Sequence, residues 1–77
     1  METRPIHKIA DEIVGDWKNV YFGAVPYLVA MRYLNTITDK YGEDDGKEIV
    51  IYFLSNSATW RGPVARRVKA ELKGLIK

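Results

Sequence analysis

Seventy-seven residues, 47% hydrophobic and 29% charged, read as one small globular domain spanning 1–77, too apolar for intrinsic disorder. With no cysteine and a single histidine, His7, the chain has no disulfide, no thiolate chemistry and no multi-histidine metal site of its own. The net charge of +2 hides a polarity: residues 1–60 carry six bases against nine acids, and residues 61–77 carry six bases against Glu71 alone.

A core this small seldom supplies more than about 3–5 kcal/mol of net stability, so the chain must pack very well or share surface with a partner. The start, Met1-Glu2-Thr3-Arg4-Pro5, has no apolar stretch behind it and does not read as a secretory signal. The longest uncharged runs, Asn19 to Met31 and Ile49 to Trp60, have 13 and 12 residues. Both fall short of the roughly 18 apolar residues that cross a membrane. Without cysteine, a cytoplasmic setting is expected.

The periodicity predicts an all-α bundle of four helices, about 5–18, 24–41, 46–57 and 63–76, with the third at the centre. In the first, Pro5 suits the opening turn, with Thr3 or Arg4 ahead of it. Ile6, Ile9, Ala10, Ile13, Val14, Trp17 and Val20 share an arc of roughly 140°, with the charged residues outside it. The second starts after Gly23 with Pro26 in its first turn. Tyr27, Leu28, Met31, Leu34, Ile37 and Tyr41 form its broad apolar face, Gly42 is placed to stop it, and Val29 and Tyr33 look outward beside Arg32.

Glu43-Asp44-Asp45-Gly46 leads into the third segment, where Asp45 and Glu48 have capping-box spacing. Ile49-Val50-Ile51-Tyr52-Phe53-Leu54 also has strand propensity. The acidic cap and the lack of a second good strand favour helix. The fourth segment opens at Pro63. Val64, Ala65, Val68, Leu72, Leu75 and Ile76 point inward, opposite a stripe of Arg66, Lys69, Lys73 and Lys77.

Catalytic chemistry finds little support. Gly42 to Lys47 is one residue short of a phosphate-binding loop and places three acids where phosphates would sit. As a calcium loop it would put Tyr41 and Tyr52 at positions that need carboxylates. His7 has no nearby partner, and no nucleophile motif surrounds Ser55, Ser57 or Thr59. The expectation is no enzyme, no cofactor, no metal and no membrane association.

Two surface features carry functional readings. The nine aromatics include Tyr21, Phe22, Tyr33 and Trp60, which are placed at helix ends or on outward faces. With Val29 and Arg61 they are the expected contacts of a protein interface, because Tyr, Trp and Arg anchor such surfaces. The partner would be a second copy, giving a homodimer, or a host factor. The alternative is nucleic-acid binding through Arg61, Arg66, Arg67, Lys69, Lys73 and Lys77 on the basic C-terminal helix. Against it, the Ser57–Gly62 connection is longer than the link of a helix-turn-helix.

Two stretches, Asp16–Leu28 (DWKNVYFGAVPYL) and Thr59–Leu72 (TWRGPVARRVKAEL), resemble small uncharacterised proteins of actinobacteria and actinobacteriophages. The likeness extends over most of the chain. It implies a phage or mobile-element setting, in which small accessory proteins act on host machinery. That family has no assigned activity, so no functional residue is carried over.

Overall fold

Proline at position 5 opens the first helix, α1 (Ile6–Asp16), in the computed structural model, which describes residues 4–77. Thr3, one of the two residues expected ahead of it, lies outside the described residues. No side chain caps α1. Instead the Ile6 and His7 N–H groups donate to the carbonyls of Asn35 and Leu34, at 2.9 and 2.8 Å. The helix ends at Asp16, two residues earlier than its periodicity suggested, where Trp17 turns into extended backbone. A 3-10 turn (Phe22–Ala24) leads into α2 (Val25–Met31), with Pro26 in its first turn.

The second helix is much shorter than expected. Its periodicity runs to Tyr41, yet the helix ends at Met31, and Arg32, Tyr33 and Leu34 continue through tighter bonds to the third preceding carbonyl. Beyond lies Asn35-Thr36-Ile37-Thr38-Asp39, a run of short polar and β-branched residues that compete with helix. The Asp39 carboxylate accepts from the Asn35 and Thr36 N–H groups, and Thr36 Oγ1 accepts from the Thr38 N–H. These local bonds replace the helical ones.

The non-helical course of residues 34–39 has a structural use. Its carbonyls satisfy the starts of two helices that would otherwise leave donors bare. Leu34 and Asn35 serve α1, while Ile37 and Asp39 accept from Lys47 and Gly46 at the start of α3 (Gly46–Ser55). Leu34 is buried and Ile37 half-buried from this irregular backbone, so both keep their core positions without the helix.

A small antiparallel hairpin follows, β1 (Lys40–Tyr41) against β2 (Asp44–Asp45), with Lys40 opposite Asp45 and Tyr41 opposite Asp44. Gly42 therefore turns a hairpin rather than ending a helix. It has φ +66°, and no described non-glycine residue has positive φ, which suits a two-residue turn with glycine first. Asp45 then caps α3 as its spacing predicts, accepting from the Glu48 N–H at 3.0 Å.

The Ile49–Leu54 run is helical and α3 is central. It packs along α2 on one side and against α4 (Pro63–Leu75) on another, with the hairpin at its start. Ile49, Val50 and Phe53 are buried in it, together with Ile6, Ile9 and Ile13 of α1, Leu28 and Met31 of α2, and Val68 and Leu72 of α4. Among the described residues, no helix is long and apolar enough to cross a membrane.

Charged groups tie the chain start to the bundle. Arg4 grips Glu71 with two hydrogen bonds, 3.0 Å from Nε and 2.7 Å from the terminal nitrogen, and pairs with Glu12 at 2.8 Å. Glu12 also accepts from Arg67 across the α1–α4 seam. The Arg67 contact first, and Arg4 second, hold the Glu12 carboxyl below the ordinary range, so folding is favoured while it is ionised. A carboxyl with a depressed native pKa stabilises above the unfolded-state value, and that stability is lost as pH falls through the native one. The denaturation midpoint should therefore hold from neutrality to about 4.5 and decline below it. Urea titrations at neutral and acid pH check this, and Glu12→Gln should flatten the difference.

Candidate functional site

Of the nine exposed large hydrophobic residues among the described ones, six lie on or beside the 3-10 turn and α2, while Val14, Ile51 and Tyr52 are exposed elsewhere. Phe22, Val25, Val29 and Tyr33 are spaced three or four residues apart, so they stack along one side of the helical backbone. Phe22 is 79% exposed and Tyr33 74%, while Val25 and Val29 are each a little under half exposed. Tyr21 lies against Phe22 with ring centroids 4.8 Å apart. At the other end Tyr33 meets Tyr41 of the hairpin at 5.7 Å. Arg32 borders a shallow hollow with Val29 and Tyr33 and forms a loose pair with Asp11 at 3.7 Å.

Four of the six expected interface residues, Tyr21, Phe22, Val29 and Tyr33, thus fall on one surface. Val25 and Tyr41 belong to it as well and were missed. Val25 could have been found by following the three-to-four residue spacing from Phe22. Tyr41 reaches the surface only because the helix breaks and the hairpin brings it back, which periodicity does not register.

Trp60 does not belong there. Expected on the surface, it is only 2% exposed and stacks on Trp17 at 5.7 Å, the rings 11° from parallel. Phe53 meets both indoles edge-on. The Trp60 Nε1–H donates to the Asp16 carboxylate at 2.8 Å, satisfying its one polar atom. Trp60 sits in the connection between α3 and α4, where no helical period marks an inward face. The bundle needs a large side chain to close its end there.

Arg61, next in sequence, is exposed, but on the other surface feature. The six basic residues do not form one free stripe. Arg67 is engaged by Glu12. Lys69 is half-buried, with Nζ donating to the Ser57 and Trp60 carbonyls at 2.8 and 2.7 Å and lying 5.9 Å from the centre of the Trp60 ring. Burial, then repulsion from Lys73 and Arg61, pushes its pKa below the usual lysine value. Arg61, Arg66, Lys73 and Lys77 remain exposed. Arg61, Arg66 and Lys69 line one cleft of about 310 Å³ with Trp60, Gly62 and Ala65.

His7 is half-buried on α1, and the described residues hold no group of three or more His, Cys, Asp or Glu placed to bind a metal ion. The chain matches no family model, no curated protein and no solved structure, so its surfaces carry the functional reading by themselves.

Proposed function

We propose that this domain is a non-enzymatic protein-binding module whose working surface is the outer face of α2. The observation that carries the reading is the continuous row Phe22, Val25, Val29 and Tyr33, left open to solvent by a chain that buries both of its tryptophans. Free monomers tolerate scattered apolar residues, but contiguous patches bordered by polar groups mark contact surfaces. Aromatic anchors beside an arginine fit such a surface, since Tyr and Arg dominate contact energies.

A second copy is the first partner to consider. Closed two-fold pairing uses the same patch on both chains, and antiparallel contact of two α2 faces would set Phe22 of one copy against Tyr33 of the other. A host factor docking on the same row is the other form of the reading. It accords with the phage-like resemblance and, without cysteine, with a cytoplasmic setting.

The test uses wild type and a Phe22→Ser/Val29→Ser/Tyr33→Ser variant in light scattering over a concentration series and as bait in nuclease-treated host lysate. Wild type should dimerise or retain a protein, and the variant should do neither. A wild-type monomer at every concentration, with identical captures for both baits, would overturn the reading.

A further inference from the structure

We propose that the cleft between the Ser57–Gly62 connection and the first two turns of α4 binds a phosphate-class oxyanion, held by Arg61 and Arg66 with Lys69 supplying a third positive charge. This site is separate from the α2 face and does not depend on it. The cleft, about 310 Å³, has room for a polyatomic ion, being many times the roughly 30 Å³ that one water occupies in the liquid.

Its charge is uncompensated. Among the described residues, no carboxylate lies within 4 Å of the side-chain nitrogens of Arg61, Arg66 or Lys69. The contrast lies on the same helix, where Arg67 has Glu12, and Glu71 takes Arg4. Like charges held together disfavour one another, and an anion among them removes that cost. Lys69 feels the crowding, since Arg61 and Lys73 both lower its pKa after burial has done so.

The backbone adds donors. Gly62 takes φ +115°, a conformation that residues with a side chain rarely adopt, and Pro63 then starts α4 without a side-chain cap. The N–H groups of Gly62 and Ala65, two of the residues that line the cleft, have no acceptor among the described residues. Free N–H groups at the positive end of a 13-residue helix reinforce the three cations. Guanidinium groups match the planar, bidentate geometry of phosphate oxygens.

The test is a titration of the full chain with inorganic phosphate, followed by amide NMR at an ionic strength held constant with chloride. Saturable shifts are expected at Gly62, Val64, Ala65 and Arg66, and Arg61→Gln/Arg66→Gln should weaken binding about tenfold or more, because two charge-assisted contacts are lost. Both side chains are exposed, so the variant's remaining spectrum should match wild type and show that the fold persists. Shifts that never saturate, or that persist unchanged in the variant, would overturn the proposal. A single-stranded oligonucleotide serves as the second probe. If it displaces phosphate from these amides, the natural source is a nucleic-acid backbone; if it does not, the source is free phosphate or a phosphomonoester. Either result sustains the site.

Discussion

Replacing Trp60 with alanine should remove essentially all of the domain's net stability, leaving a large unfolded fraction at room temperature. Deleting a buried tryptophan costs about 3–5 kcal/mol through lost burial and the cavity left behind. That equals the whole net stability, about 3–5 kcal/mol, that a core of this size usually provides. The loss has four parts. Trp17 loses the ring it stacks on at 5.7 Å, Phe53 loses one of its two edge contacts, and Asp16 loses the indole donor at 2.8 Å. Lys69 also loses the ring below its ammonium group.

Trp60→Phe gives the graded version. It keeps an aromatic plane against Trp17 but removes the Asp16 hydrogen bond and part of the buried area, at a cost of about 1–3 kcal/mol. In a domain of this length that corresponds to a melting-temperature drop on the order of 5–20 °C. Trp17 and Trp60 are the only tryptophans in the sequence and share one cluster, so intrinsic fluorescence follows this region directly. A melting curve unchanged by Trp60→Phe would contradict the role given to the cluster.

Gly46→Ala should be the next most damaging single change, although it adds only one methyl group. A Cβ at this position would lie 2.7 Å from the Thr36 carbonyl oxygen and 2.9 Å from the Ile37 Cα. Both neighbours are backbone, so neither can swing aside as a side-chain tip could. The 34–39 segment would have to move, and with it the carbonyls that serve Ile6, His7, Gly46 and Lys47. Overpacking costs about 1–3 kcal/mol, and loosened helix starts add about 0.5–2 kcal/mol each. Alanine's better helix propensity returns up to about 1 kcal/mol, leaving a net loss of roughly 1–6 kcal/mol. Gly15→Ala provides the control of opposite sign. A Cβ there meets nothing within 4 Å, so the same substitution should stabilise by about 0.5–1 kcal/mol. Urea midpoints of the two variants should move in opposite directions.

These effects lie where the sequence is least readable. The inward arcs of α1 and α4 are largely legible from spacing, because each residue's face follows from its position on a regular helix, but Val14, which the α1 arc includes, is 42% exposed. The α3 helix needed one more signal, the Asp45 cap, to separate it from a strand of the same composition. The break after Met31 escaped because Leu34 and Ile37 keep helical spacing while burying themselves from irregular backbone. Only the polar run Asn35-Thr36 with Asp39 hinted that local hydrogen bonds would win.

The candidate surfaces divide in the same way. The outward positions of Val29 and Tyr33 can be read from helical period, whereas Phe22 stands out only as an aromatic near a helix end; all three are exposed. The burial of Trp60 is not legible, because a residue in a connection has no period. The basic cleft was visible only as part of a longer stripe. Which of its cations are free depends on contacts of Glu12 with Arg67 and of Lys69 with two carbonyls. These span up to 55 residues of chain and leave no mark in spacing.

A row of side chains that serves binding alone can be removed without unfolding the bundle, whereas a row that serves the core cannot. In Phe22→Ser/Val29→Ser/Tyr33→Ser, the urea midpoint and the association are measured side by side with those of wild type. Exposed positions away from caps and cores usually shift stability by no more than about 0.5 kcal/mol each, so the three together should cost at most about 1.5 kcal/mol and leave the variant folded while dimerisation or partner retention is lost. Association at wild-type strength in a folded variant would contradict the assignment of this face as the binding surface.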